Sequence, residues 1–394
     1  MSAAPKKGVD RRAMGVLSSG HLFTDLNQGA VAALLPFLIS ERGLSLAAAG
    51  ALVFAATVSS SLVQPLFGIF SDRNPIPALM PLGVLLAGVG MALAGVAPSY
   101  PLIFASVVLS GIGVAAFHPE AARFANYVSG ARRARGMSFF SVGGNAGFAL
   151  GPILATPLVL AFGLPGTLFL ALPAALMAGV MFAETPRMLR LAPEEAANGT
   201  WEVDASRERW GPFAVMVAVV AVRSFVYFGL VAFVAAYYER VHGASAALGN
   251  VALTVMLAAG AVGTLLMGPL ADRFGRKAVL AWSMLALSPL VLGFTLVGPY
   301  AGMALLALVG AATVGTFGVT VVMGQEYLPG RIGLAAGVTM GLSIGLGGVG
   351  APLLGLLADA GGLKTTMLAV AALPVLGLAL ALTLPARTQA TRRA

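Results

Sequence analysis

From Met14 to Leu384 the chain is a succession of apolar runs separated by short polar punctuation, and this pattern leaves few folds open. A helix needs roughly 20 apolar residues to cross about 30 Å of hydrocarbon. Runs near 14–38, 46–70, 77–97, 101–122, 136–161 and 164–183 meet that length. After a polar stretch, so do runs near 212–237, 246–270, 277–297, 300–323, 332–357 and 364–384. Only 10% of the 394 residues are charged, against 58% that are hydrophobic. A water-soluble domain carries about 25% charged residues because its surface faces water. A chain this poor in charge can present little of its surface to water, so lipid must cover the rest. The expectation is an all-α membrane protein of twelve transmembrane helices. They fall in two pseudo-symmetric six-helix bundles, 1–183 and 212–394, with a cytoplasmic connector over 184–211.

The basic residues orient that arrangement. With the N-terminus inside, external loops hold only Arg42, Arg240 and Lys364, and Arg223 falls within a span. All other basic residues of the 24 lie inside or at the inner membrane edge, among them Lys6, Lys7, Arg11, Arg12, Arg132, Arg133 and Arg135. Cytoplasmic loops of membrane proteins carry such an excess. The asymmetry places both termini in the cytoplasm. It also accounts for the net charge of +9 without nucleic acid as a partner. Lys6–Arg12 followed by an apolar run could open a secretory signal peptide. The apolar run contains His21, Asp25, Asn27 and Gln28, which is too polar for that role. The connector 184–211 mixes Glu194, Glu195, Glu202, Asp204 and Glu208 with Arg187, Arg190, Arg207 and Arg209. There are no cysteines, so neither disulfides nor thiolate metal sites can form. His21, His118 and His242 are scattered without metal-ligand spacing, and neither metal nor cofactor is expected.

The two halves repeat each other. Gly68-Ile-Phe-Ser-Asp72-Arg73 and Gly268-Pro-Leu-Ala-Asp272-Arg273-Phe-Gly275-Arg276-Lys277 fall at the tight inner loop after the second span of each half. Gly143, Gly147 and Gly151-Pro152 in span five answer Gly337, Gly341, Gly345 and Pro352 in span eleven. Features recurring at matching places mark a duplicated six-span unit.

These signatures resemble the major facilitator superfamily, whose halves each carry a G-x-x-x-D-R-x-G-R-K loop. The second-half match is full; in the first half Asn74-Pro75-Ile76-Pro77 replaces the basic tail. The glycine run of span five resembles the motif of that superfamily's antiporter branch. Gly20-His-Leu-Phe-Thr-Asp25, Phe117-His-Pro-Glu120, Val142-Gly-Gly-Asn145 and Met323-Gly-Gln-Glu326-Tyr-Leu-Pro329 are similar to the fosmidomycin-resistance efflux proteins, across the whole chain. The resemblance implies a drug:proton antiporter of a bacterial inner membrane, working by alternating access as a monomer. It also implies that Asp72-Arg73 and Asp272-Arg273 latch the inner face in one state.

Ionisable side chains within the spans are the candidate functional groups, because each costs about 2.5–3.5 kcal/mol at mid-bilayer on insertion scales. Asp25 lies near mid-depth in span one, with His21 and Gln28 one turn away on its face. A carboxylate in a partly dry cavity can take up and release a proton near neutral pH. The reading is a proton-coupling acid; the alternative is a structural acid paired to a neighbouring helix. His118-Pro119-Glu120 and Arg123 lie in the inner part of span four, where the proline is expected to interrupt the helix. Glu120 and His118 suit a proton relay or inner gate, and Glu120 and Arg123 one turn apart could instead neutralise each other. Arg223 takes the place in span seven that Asp25 takes in span one. Its planar, permanently charged fork suits a carboxylate or phosphonate, although an intramembrane ion pair with Asp25 would also account for it. Tyr227, one turn beyond, Asn145, His21, Gln28 and Arg123 complete the candidate substrate contacts. Glu326 is expected at the inner edge as a gate or an interfacial pair with Arg331. The glycines let helix backbones approach closely and slide. Expected partners are thus protons, lipid and a small-molecule substrate, an anionic or phosphonate-like drug fitting the arginines. A proton-coupled importer of a metabolite is the rival. No nucleophile elbow, phosphate loop or dinucleotide fingerprint suggests an enzyme.

Overall fold

The computed structural model describes residues 9–64, 67, 76–129, 133–191, 208–328, 335 and 338–385. Helices account for nearly all of them, and there are no strands among the described residues. Contacts divide the chain into two units, 1–44 with 52–201 and 45–51 with 202–394.

In the first unit, α1 (Arg11–Arg42) is followed by α2 (Leu46–Ser61), α3 (Leu79–Val96), α4 (Tyr100–Val128) and α5 (Arg133–Phe162). A 3₁₀ turn over Leu164–Leu170 then leads into α6 (Ala171–Leu189). Asp10 caps α1 by accepting from the Ala13 amide, and Gly43 ends it in the left-handed conformation (φ 64°). Arg187 at the end of α6 donates to both carboxylate oxygens of Asp10 at 3.1 Å, tying the start of α1 to α6. The core beside α1 is built from Met14, Leu17, Phe117, Phe124, Phe140 and Met181.

The second unit runs α7 (Trp210–His242), α8 (Ala246–Phe274), α9 (Arg276–Leu296), α10 (Pro299–Gly315) and α11 (Phe317–Tyr327). A short π-helical turn over Val338–Leu342 precedes α12 (Ser343–Thr383). The first turn of α2 belongs to this unit, and Asp359 of α12 receives the Leu46 and Ala47 amides, both at 2.9 Å. That places a negative charge on the free N–H groups of a helix start.

Ten helices among the described residues are long and apolar enough to cross a membrane. Two features reconcile this with twelve spans. Helix α2 is the shorter one, and the end of its expected run, 46–70, lies largely outside the described residues. Helix α12 changes direction at Gly362, whose φ of 79° is non-helical, so it holds the two expected runs on either side. Helices α10 and α11 together form the expected span 300–323, with a break at Thr316. The connector 184–211 lies outside the described residues over 192–207, and α6 extends into its start as far as Leu189.

The second repeat motif is corrected in one respect. Gly268 to Phe274 are still helical, and the turn is the single residue Gly275 (φ 92°), after which Arg276 and Lys277 open α9. A left-handed φ of this kind is open to glycine at no steric penalty. Lys277 donates to the Leu382 and Leu384 carbonyls at the end of α12, where a cation suits the helix C-terminus.

Candidate functional site

In the first unit the fold gathers three of the predicted groups. His21 and Asp25 stand one turn apart on α1, and α4 brings His118 against them. The two Nε2 atoms are 3.0 Å apart. Asp25 Oδ2 lies 3.2 Å from His21 Nε2, and Oδ1 lies 3.4 Å from His118 Nε2. Sequence separation hid this cluster: histidines 97 residues apart in the chain show no spacing, and only helix packing joins them. His21, expected among the substrate contacts, is part of the acid's own surroundings.

Both rings are fixed from behind. His21 Nδ1 meets the Phe140 carbonyl of α5 at 2.8 Å, and its ring stacks on Phe140 with centroids 4.2 Å apart. His118 Nδ1 meets the Val114 carbonyl at 2.8 Å. A carbonyl only accepts, so each Nδ1 carries the hydrogen and donates it. Each neutral ring therefore turns a bare Nε2 lone pair toward the other and toward a carboxylate. Three acceptors this close require a shared positive charge to be stable together. Gly144 of α5 faces the same point, and a methyl group there would lie 2.3 Å from His21 Nε2 and 2.7 Å from Asp25 Oδ2. This glycine was not singled out by the repeat, which pointed to its neighbours.

Those neighbours have the packing role that small residues confer. A methyl group at Gly143 or Gly147 would stand 2.2 Å from the Ser18 carbonyl oxygen or 2.1 Å from that of Leu22. At Gly151 it would stand 2.5 Å from the Ala30 amide nitrogen. The backbones of α1 and α5 thus touch along the run, which Pro152 shares without ending α5. Asn145 is partly exposed on α5, as Gln28 is on α1.

Helix α4 is continuous through Pro119, contrary to the expected interruption. A proline removes one backbone bond and crowds the preceding turn, and the surrounding helix absorbs both. The next residue, Glu120, is fully buried and forms an ion pair with Arg123, one turn on. Arg123 thereby directs charge to an acid of its own helix.

In the second unit, Arg223 is buried near the middle of α7 and donates from Nη1 to Thr316 Oγ1 at 2.8 Å. Thr316 sits at the break between α10 and α11. Among the described residues of its unit, no carboxylate pairs with Arg223. Tyr227, one turn on, is partly exposed and packs edge-on against Phe228. Glu326 pairs with Arg276, the first residue of α9; Arg331, its expected partner, lies outside the described residues. Arg273 is exposed, its guanidinium carbon 5.1 Å from the Phe274 ring centre, and Asp272 lies in the last turn of α8. Asp72 and Arg73 lie outside the described residues.

The fold and these intramembrane polar groups define a polytopic helical membrane protein of the transporter class. The family model described as Major Facilitator Superfamily matches residues 17–260 and 216–394, and the chain belongs to that family of transporters, which are not enzymes. An uncharacterized MFS-type transporter of Bacillus subtilis, YfnC, is 34% identical over 93% of this chain and 90% of its own length. The fosmidomycin resistance protein of Escherichia coli is 32% identical over 93% of this chain and 91% of its own. Among solved structures, a bacterial homologue of the human lysosomal transporter Spinster matches with a TM-score of 0.77 at 18% identity, covering 94% of this chain and 96% of its own.

Proposed function

We propose that this transporter exports a drug-like organic compound in exchange for protons, by alternating access, from the cytoplasm across a bacterial inner membrane. The His21–Asp25–His118 cluster carries this reading. Its three acceptor atoms turned on one point form a place where a proton is held, and each group can pass that proton on. Asp25 and His118 are the coupling groups, His21 shares the proton with them, and the buried Glu120 is a further station on α4. Arg223 supplies the opposite charge. A buried guanidinium held by one hydroxyl retains donors for an anionic or phosphonate-like substrate; Tyr227, Gln28 and Asn145 complete the proposed substrate contacts. Kinship with a fosmidomycin resistance protein supports a phosphonate. The inward bias of basic residues supports cytoplasmic termini. Asp72, Arg73, Asp272, Arg273, Glu326 and the Gly143–Pro152 run serve the conformational cycle in this reading, and the bundles 1–183 and 212–394 are its moving parts.

The test is transport in proteoliposomes under an imposed pH gradient, with fosmidomycin and related phosphonates in the substrate panel. Wild type is expected to move substrate against its gradient and opposite to protons. Asp25→Asn is expected to lose gradient-driven transport and keep downhill exchange. Undiminished gradient-driven transport by Asp25→Asn removes this residue from coupling. Substrate moving in the same direction as protons makes the protein an importer.

A further inference from the structure

The same three side chains have the donor set and spacing of a metal site. We propose that His21, Asp25 and His118 bind one divalent transition-metal ion of the zinc class through the two Nε2 atoms and the carboxylate.

The distances carry the argument. Zinc binds imidazole nitrogen at about 2.0–2.1 Å and carboxylate oxygen at about 2.0–2.2 Å, so in a tetrahedral site donors stand about 3.3–3.5 Å apart. Here the two Nε2 atoms are 3.0 Å apart, and the carboxylate meets them with different oxygens, Oδ2 3.2 Å from His21 and Oδ1 3.4 Å from His118, so one ion can reach all three side chains after small shifts. All ligand atoms of the trio lie within 4.8 Å of one another. Two imidazoles and one carboxylate leave a coordination position for water, as in open zinc sites.

Two further observations point the same way. Ligating histidines almost always donate their second ring N–H to a carbonyl or carboxylate, which fixes the tautomer and aims the lone pair. Both histidines do so here, through Phe140 and Val114. Their Nε2 atoms are thus oriented before any ion arrives. Gly144 keeps the adjoining volume clear of a side chain that would press on His21 and Asp25. The side chains of Asp25 and His118 are not sealed off, with exposures of 18% and 21%. The chain has no cysteine to compete, and its third histidine, His242, belongs to the other unit.

The binding claim stands on geometry alone. Its consequence rests on the proton reading above: a bound ion occupies the lone pairs that proton uptake uses, so zinc inhibits pH-driven transport.

The experiment uses the full chain purified without a polyhistidine tag. Zinc binding is measured by calorimetry, and cobalt substitution is followed by its visible spectrum. One ion per chain is expected, with affinity falling at least about tenfold in His118→Ala, His21→Ala and Asp25→Asn, since loss of even an outer partner typically costs about 10–100-fold. His242→Ala is expected to bind as wild type does. X-ray absorption on the zinc-loaded wild type, which needs no variant to fold, is expected to show two imidazoles and oxygen donors. No binding at micromolar zinc, binding that survives His118→Ala, or a shell without two imidazoles overturns the proposal. Binding at the trio with undiminished pH-driven transport supports the metal site and removes the trio from proton coupling.

Discussion

The two units build similar helix contacts around opposite charges. In the first, α1 lies against α5 with glycines at the contact; in the second, α7 lies against α12 likewise, where a methyl group on Gly347 would stand 2.2 Å from Ser224 Cβ. At the middle of α1 stands a carboxylate facing two imidazole lone pairs. At the middle of α7 stands a guanidinium facing a hydroxyl. A duplicated scaffold has thus kept its backbone packing and diverged in the ions it can hold. The first unit offers acceptors, which suit a proton or metal cation, and the second offers donors, which suit an anion. Packing is the shared inheritance, and the buried charge is where the halves differ.

The largest expected effect tests the donor half. Arg223→Gln keeps some hydrogen-bonding capacity and removes the charge. A hydrogen bond to a charged group is worth about 1.5–3 kcal/mol, which converts to roughly 10–150-fold. Transport of an anionic substrate is expected to fall by that factor, while zinc binding at the trio is unchanged. Measuring both in the same preparation sharpens the contrast; loss of zinc binding in Arg223→Gln breaks the assignment of separate roles.

Next come the glycines, which probe what the halves share. Gly147→Ala drives its methyl group into the Leu22 backbone, whereas Gly350→Ala meets the Phe225 ring at 2.5 Å, a side chain that can turn aside. Overpacking typically costs about 1–3 kcal/mol, and Gly147→Ala is expected at the upper end with Gly350→Ala near the lower. Thermal unfolding of the purified proteins measures the difference. Equal effects would mean that α1 gives way as easily as the Phe225 ring.

How much of this the sequence displayed follows from the range over which each signal acts. Apolar runs are local, so nearly all spans were legible from composition, with edges off by a few residues. Asp25 and Arg223 stood out because charge is scarce in lipid. The Gly143–Gly147–Gly151 run showed close packing because its spacing is one helical turn. The His21–His118 meeting was not legible, since it depends on how α1 and α4 pack. Gly144 was hidden by the very run beside it: the repeat drew attention to every fourth glycine, and this one faces His21 and Asp25. Pro119 misled because a proline within a packed helix need not end it. Asp359 was not singled out, because nothing local connects it with the start of α2.

The smallest expected effects compare two ion pairs. Asp10 is largely buried, caps α1 and receives Arg187, whereas Glu326 is more than half exposed in its pair with Arg276. Loss of an N-cap side chain costs about 0.5–2 kcal/mol, so Asp10→Ala is expected to lower the unfolding midpoint measurably. Exposed pairs contribute about 0–1 kcal/mol, so Glu326→Gln is expected to leave stability within that range. The informative quantity is then transport. If Glu326→Gln unfolds as wild type does and yet transports several-fold more slowly, the pair acts in the conformational cycle, because a merely stabilising contact would have shown itself in unfolding. If stability and transport are both unchanged, Glu326 is a solvated surface acid, and the conformational role falls to the backbone contacts along α1 and α5.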